Sequence, residues 1–103
     1  MDIKGKVAIV TGASDGLGKQ VSLKLAKEGV SLALVARNEE KLNKVKQNAE
    51  KQGSPKVVCY SCDIQDKEQI KKTVQQIEVD FNEVQILLNI AGIWQKLNLL
   101  EDV

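Results

Sequence analysis

Histidine is absent from this chain of 103 residues, and long hydrophobic runs are absent as well. Without an imidazole, Ser-His-Asp catalysis, Cys-His catalysis and most catalytic zinc sites are excluded. No apolar run approaches the roughly 18 residues that span a bilayer. The start of the chain leads into the short apolar run Val7–Val10, which is no signal-peptide core. We therefore expect a cytoplasmic protein with no membrane partner.

The sequence also lacks an excess of charge of either sign. Its formal net charge is +1, which offers no electrostatic footprint for nucleic acid or for an anionic membrane. Hydrophobic residues make up 43% of the chain, enough for the core of one small domain over residues 1–103. Residues 93–103 show no clear period, and we leave the structure of this tail open.

Only two cysteines are present, Cys59 and Cys62, and they match a C-x-x-C pattern. A redox or metal site would need them at a helix N-terminus or beside further ligands. Cys59 lies in a predicted strand, where an odd offset directs the two side chains to opposite faces. We expect buried, reduced thiols with a structural role.

A glycine-rich stretch, Thr11–Gly18, lies between the apolar run Val7–Val10 and an amphipathic helical pattern. A strand that ends at such a turn and continues into a helix directs free backbone N–H groups at the loop, where they bind phosphate. Gly12 would allow the tight turn, Gly16 would admit a pyrophosphate, and Gly18 would let the helix pack closely. The alternative is an ordinary strand-to-helix turn with spare glycines.

Apolar runs and helical patterns alternate along the chain in the order βαβαβαβ. Such units predict a parallel sheet with right-handed crossovers and helices on both faces. The predicted strands are Val7–Val10, Leu32–Ala36, Val57–Tyr60 and a run from Val84 to Leu88. The first predicted helix begins at Leu17. Asn38 is the expected N-cap of the second helix, and Asp66 that of the third, with Gln69 as its partner in a capping box. The expected buried residues of the first helix are Leu17, Val21 and Leu25, with Leu23 and Ala26 widening the stripe. Those of the other two helices are Leu42, Val45 and Ala49, and Ile70, Val74, Ile77 and Phe81.

Three motifs carry a resemblance to the short-chain dehydrogenase/reductase family. Thr11–Gly18 fits its T-G-x-x-x-G-x-G loop, and Asn89–Gly92 resembles its N-N-A-G motif, with Ile90 in place of the second Asn. Asp63 stands where the family has an Asp at the adenine edge. The resemblance runs from about Lys6 to Gly92. It implies a Rossmann-like, doubly wound α/β fold with strand order 3-2-1-4, truncated before the fifth strand.

The same resemblance implies a binding site for a nicotinamide dinucleotide and no metal. Ligands of an open parallel sheet bind beyond the carboxyl ends of its strands, where these motifs would gather. The candidate cofactor-binding residues are Gly12, Ser14, Asp15, Gly16, Leu17, Gly18, Arg37, Asn38, Asp63, Ile64, Asn89, Ala91 and Gly92.

The end of the second predicted strand bears on the choice of cofactor. Ala36 occupies the place where NAD-preferring relatives carry an acid for the ribose 2′-hydroxyl. Arg37 follows and can make a forked, charge-assisted contact to a 2′-phosphate. NADP is therefore the favoured cofactor, with NAD as the alternative. Asp15 argues the other way, because many NADP-preferring relatives have a basic residue there.

The catalytic residues that the family implies, a Ser and a Tyr-x-x-x-Lys pair, do not occur in this sequence. The single tyrosine, Tyr60, is followed four residues later by Ile64. We expect the chain to be the N-terminal part of an oxidoreductase that reduces a carbonyl or oxidises an alcohol. The alternative is a non-catalytic nucleotide-binding or scaffold module. Because the fourth strand would expose an apolar edge, we also expect a homo-oligomer or an aggregating chain.

Overall fold

The computed structural model describes residues 2–90, which form a four-stranded parallel sheet with helices on both faces. The strand order is β3-β2-β1-β4, so the predicted fold class and the predicted order 3-2-1-4 are confirmed. The elements are β1 (Val7–Thr11), α1 (Gly16–Lys27), β2 (Ser31–Ala36), α2 (Glu39–Gln52), β3 (Val57–Ser61), α3 (Lys67–Phe81) and β4 (Ile86–Asn89).

Strand β2 lies at the centre of the hydrophobic packing. All residues from Leu32 to Ala36 are buried, as expected for a strand that is covered on both faces. Its side chains alternate between two cores. Leu32 and Leu34 pack with α1 and α2 residues on one face of the sheet, whereas Ala33 and Val35 pack with α3 residues on the other. β1 pairs with β2 along its whole length, with Thr11 opposite Val35.

Helix α1 buries only part of the predicted stripe: Ala26 is buried, and Leu23 and Leu25 pack against the core. Its buried residues are the small ones, Gly18, Ser22 and Ala26, at intervals of four. Leu17 is 57% exposed, so its predicted place in the core was wrong. The reason is the close approach of the helix to the preceding loop. A Cβ atom on Gly18 would lie 1.9 Å from the carbonyl oxygen of Gly12, which leaves no room for a larger side chain.

Helices α2 and α3 begin with the predicted caps. The side chain of Asn38 accepts a hydrogen bond from the Lys41 N–H at 3.0 Å. The Asp66 carboxylate accepts from the N–H groups of Glu68 and Gln69. The Gln69 side chain accepts from the Asp63 N–H instead of closing a reciprocal capping box, because the Asp66 N–H already donates to the carbonyl of Asp63.

The predicted core residues in the N-terminal half of α3 are not buried. Ile77 and Phe81 are buried, but Ile70 and Val74 are 37% and 41% exposed. They line an apolar groove of about 310 Å³ that also contains Leu87 of β4, the edge strand of the described sheet. The predicted tail at residues 93–103 lies outside the described residues.

Cys62 is buried and Cys59 is partly buried, both as free thiols. They pack into opposite cores, which confirms that the two side chains diverge. Burial raises the pKa of Cys59, an effect that Lys46 partly offsets. The expectation of full burial was wrong for Cys59, whose Sγ lies beside the Leu42 carbonyl oxygen at 3.5 Å.

A polar network joins β3 to the end of α3. The hydroxyl of Tyr60 donates to the Asp80 carboxylate at 2.6 Å, and the Gln76 amide donates to its other oxygen at 3.1 Å. Burial, followed by the bond to Asp80, raises the pKa of Tyr60. The Tyr60 hydrogen bond lowers the pKa of Asp80. The network therefore favours an ionised Asp80 beside a neutral Tyr60.

A Tyr60→Phe variant tests this network by its pH dependence. Since the folded-state pKa of Asp80 lies below the unfolded value of about 3.9, its contribution is present above that pH and is lost as the pH falls through the lower folded value. We expect the variant to melt several degrees lower at neutral pH, with a gap that narrows below about pH 4 in thermal scans. A gap of constant size down to about pH 2 would contradict this reading.

A Gly18→Ala variant tests the contact between α1 and the loop. Alanine ordinarily stabilises a helix interior by about 0.5–1 kcal/mol relative to glycine. Here the added methyl meets the Gly12 backbone, so we expect the free energy of unfolding to fall by about 1–3 kcal/mol. Gln20→Ala, at an exposed position of the same helix, should change it by less than about 0.5 kcal/mol. Urea denaturation of both variants measures the difference, and an unchanged or more stable Gly18→Ala variant would contradict the close contact.

Candidate cofactor site

Three connections meet at the carboxyl ends of β1, β2 and β3 and enclose a cleft of about 240 Å³. The β1–α1 loop contributes Gly12 and Ser14, and the β2–α2 connection contributes Arg37 and Asn38. The full set of lining residues is Gly12, Ser14, Ala36, Arg37, Asn38, Cys62 and Ile64. The cleft lies at the edge where an open parallel sheet binds its ligands.

The glycine loop has the backbone that the sequence predicts. Gly12 and Gly16 have φ angles of 67° and 49°, in the region that favours glycine. A Cβ atom added to Gly16 would meet no heavy atom within 4 Å, so the space above this residue is open. The loop therefore leaves room for a group that approaches the backbone at the start of α1.

The N-terminus of α1 differs from those of α2 and α3. Asp15 occupies the cap position, yet its carboxylate accepts no hydrogen bond from the first turn. The first N–H groups of a helix have no partner within it, and they attract anions together with the helix dipole. At α1 these donors face the open side of the glycine loop.

The carboxylate of Asp15 instead pairs with Lys41 of α2, with 3.0 Å between Oδ2 and Nζ. Both side chains are exposed, Asp15 at 69% and Lys41 at 50%. The Lys41 N–H is held by the Asn38 side chain, which anchors the start of α2 beside the cleft. The ion pair thus spans the rim between the glycine loop and α2.

The far side of the cleft follows β2 and β3. Arg37 is exposed, and its carbonyl oxygen accepts a hydrogen bond from the Ser61 hydroxyl at 3.1 Å. The carboxylate of Asp63 accepts from the Gln65 N–H at 3.0 Å. The guanidinium of Arg37 is thus carried on a backbone that β3 supports.

Asn89 lies at the end of β4, opposite Thr11 of β1. The Thr11 hydroxyl donates to the Asn89 side-chain oxygen at 2.7 Å. This bond fixes the orientation of the amide, whose nitrogen has no hydrogen-bond partner within residues 2–90. Thr11 and Asn89 line the apolar groove beside α3, which shares Cys62 and Ile64 with the cleft.

Within residues 2–90, no group of three or more His, Cys, Asp or Glu side chains could hold a metal ion. The described part of the chain likewise contains no helix that is long and apolar enough to cross a membrane.

Comparison with known proteins adds a family to this geometry. A sequence model described as short chain dehydrogenase matches residues 6–102. The chain belongs to the short-chain dehydrogenase family. It is 39% identical over 102 residues to 11-beta-hydroxysteroid dehydrogenase A of Sesamum indicum, covering 99% of this chain and 29% of that protein. It is 36% identical over 96 residues to farnesol dehydrogenase of Aedes aegypti, covering 93% of this chain and 39% of that protein.

Solved structures show the same likeness. NAD+-bound xylitol dehydrogenase matches 84% of this chain and 33% of its own, with a TM-score of 0.79 and 33% identity. An alcohol dehydrogenase of Thermococcus sibiricus in complex with 5-hydroxy-NADP matches 80% of this chain and 35% of its own, with a TM-score of 0.75 and 31% identity. This short-chain dehydrogenase chain thus spans about a third of the length of these proteins.

The structure gathers most of the candidate residues of this short-chain dehydrogenase at one edge of the sheet. Five of the thirteen line the cleft: Gly12, Ser14, Arg37, Asn38 and Ile64. Asp15, Gly16, Leu17, Gly18 and Asp63 belong to the segments that frame it but do not line it. Asn89 lies in the adjoining groove. Ala91 and Gly92 lie outside the described residues.

Sequence reasoning missed three residues at this site. Thr11 belongs to the glycine-loop motif but was assigned no role, although its bond to Asn89 joins β1 to β4. Cys62 was assigned to the core, and it also lines the cleft. Lys41 was assigned no role, because no local pattern relates it to Asp15, 26 residues earlier.

Proposed function

We propose that this chain holds the adenosine and pyrophosphate half of a nicotinamide dinucleotide, with NADP preferred over NAD. The observation that carries the proposal is the N-terminus of α1. Its cap residue, Asp15, is turned away, and the space above Gly16 is open. A pyrophosphate would accept hydrogen bonds there from backbone N–H groups that have no helical partner.

The cleft between the glycine loop and α2 fits the adenosine half. Arg37 and Asn38 at its rim would contact the ribose and its substituent, and Ile64 supplies an apolar wall. An arginine that is free to make a forked contact favours a 2′-phosphate over a 2′-hydroxyl. Asp63 lies beside Ile64 and would face the adenine edge. In the same arrangement, Asn89 would donate its free amide hydrogens toward the cofactor.

We assign the whole protein to the oxidoreductases, with a carbonyl or an alcohol as substrate. When bound, the cofactor supplies or accepts the hydride. The residues described here bind and orient it. Tyr60 is no candidate for proton transfer, because it is buried and bonded to Asp80. A nucleotide-binding module without turnover is the second candidate.

A Gly16→Val variant tests the phosphate site. The added side chain would occupy the open space above the loop, so we expect the affinity for both NADP and NAD to fall by at least about tenfold, measured by isothermal titration calorimetry. Gly5→Val is the matched control: Gly5 also has a positive φ, 82°, and no atom within 4 Å of its Cβ position, but it precedes β1 at the opposite end of the sheet. Equal loss of binding in both variants would contradict a phosphate site at Gly16.

An Arg37→Gln variant tests the choice of cofactor. Loss of the charge-assisted contact should weaken NADP binding by about tenfold or more and leave NAD binding within about twofold. The measurement is the ratio of the two dissociation constants at one fixed salt concentration. If the unaltered chain binds NAD as tightly as NADP, or if Arg37→Gln weakens both alike, the NADP assignment is wrong. Failure to bind either dinucleotide would overturn the proposed function itself.

A further inference from the structure

We infer that Lys41 is a specificity-determining residue that acts through Asp15: by pairing with this carboxylate, it keeps the rim of the cleft receptive to a 2′-phosphate. This inference rests on the proposed function, since it concerns the same cofactor. Lys41 Nζ and Asp15 Oδ2 lie 3.0 Å apart and form an ion pair between α2 and the glycine loop.

The position of Asp15 is what makes the pair significant. Aspartate at a helix cap ordinarily accepts N–H bonds from the first turn, as Asp66 does at α3. At α1 the Asp15 carboxylate points to α2 instead, and the first turn is left without a side-chain cap. Lys41 therefore holds the Asp15 carboxylate against α2.

The charge balance of the rim depends on this pairing. Arg37 contributes one positive charge beside the cleft, while the first turn of α2 carries the acids Glu39 and Glu40. An unpaired Asp15 would add a third negative charge near the phosphate position. Lys41 holds that carboxylate on the α2 side of the rim, so Arg37 can attract a phosphate without opposition from the loop.

The Asp15–Lys41 ion pair contributes little to the stability of the fold. Both side chains are exposed to solvent by half or more, and exposed ion pairs contribute little to stability. Its effect on a dianionic ligand is different, because each unpaired charge at the rim changes the potential at the phosphate directly. Loss of the pair should therefore weaken NADP binding much more than it lowers the stability of the fold.

The test is a double-mutant cycle with Lys41→Met, Asp15→Asn and the double variant, in the 103-residue chain. The measured quantity is the ratio of the dissociation constants for NAD and NADP, from calorimetry at low salt. Lys41→Met should lower this ratio by about three- to tenfold, because the Asp15 carboxylate, released from Lys41, can turn toward the bound 2′-phosphate. In the Asp15→Asn background, the same substitution should change the ratio by less than about twofold.

Lys51→Met is the matched control, since it removes the same charge from the last turn of α2, about 15 Å along the helix from Lys41. It should leave the ratio unchanged. Thermal melts should show all four variants folded to a similar extent. A Lys41 effect of full size in the Asp15→Asn background would show that Lys41 acts on the phosphate directly, which overturns the inference.

The Arg37→Gln variant distinguishes the two levels of failure. If it abolishes the preference for NADP while Lys41→Met leaves the ratio within about twofold, the role of Lys41 is wrong and the proposed function stands. If Lys41→Met weakens NAD and NADP equally, the residue does not determine specificity and the inference is also wrong. If the unaltered chain binds NAD as tightly as NADP, the NADP assignment and the role of Lys41 are both wrong, whereas the binding of a dinucleotide stands.

Discussion

The close approach of α1 to the loop before it is the constraint on which the rest of the site depends. No Cβ fits at Gly18, because the Gly12 carbonyl oxygen lies where that atom would be. The helix can therefore start directly beneath the end of β1, with small residues on its buried face. A larger residue at Gly18 would push the helix away and withdraw its first N–H groups from the loop.

The three described helices differ in whether a side chain caps the first turn. Asn38 and Asp66 satisfy the first turns of α2 and α3, and each such cap typically contributes about 1 kcal/mol to folding. Asp15 makes no such contribution at α1. Unsatisfied donors at a helix start are a cost to the isolated chain, and that cost is recovered when an anion binds. This contrast supports the proposal that the glycine loop, rather than the other two connections, binds a phosphate group.

Much of the fold could be predicted because local pattern and long-range structure agree. The apolar run Leu32–Ala36 indicated a strand buried on both faces, and the caps of α2 and α3 were evident from the residues themselves. The strand order came from the family resemblance. The predicted burial of Leu17 in α1 was wrong, since its hydrophobicity favoured a core position, whereas the helix face against the Gly12 carbonyl admits only small residues. Ile70 and Val74 were placed in the core by their helical spacing, but no described element covers the N-terminal half of α3.

The site was predictable to the extent that it is encoded in contiguous motifs. The sequence located the glycine loop, the strand ends and Asn89. It could not indicate the Asp15–Lys41 pair, which depends on the docking of α2 beside the glycine loop. Read along the sequence, Asp15 is an argument against a 2′-phosphate. In the structure, the Asp15 carboxylate is paired with Lys41, and the proposed preference for NADP rests on Arg37. The position of the Asp15 carboxylate is set by Lys41, which lies beside it in space but 26 residues away in the chain.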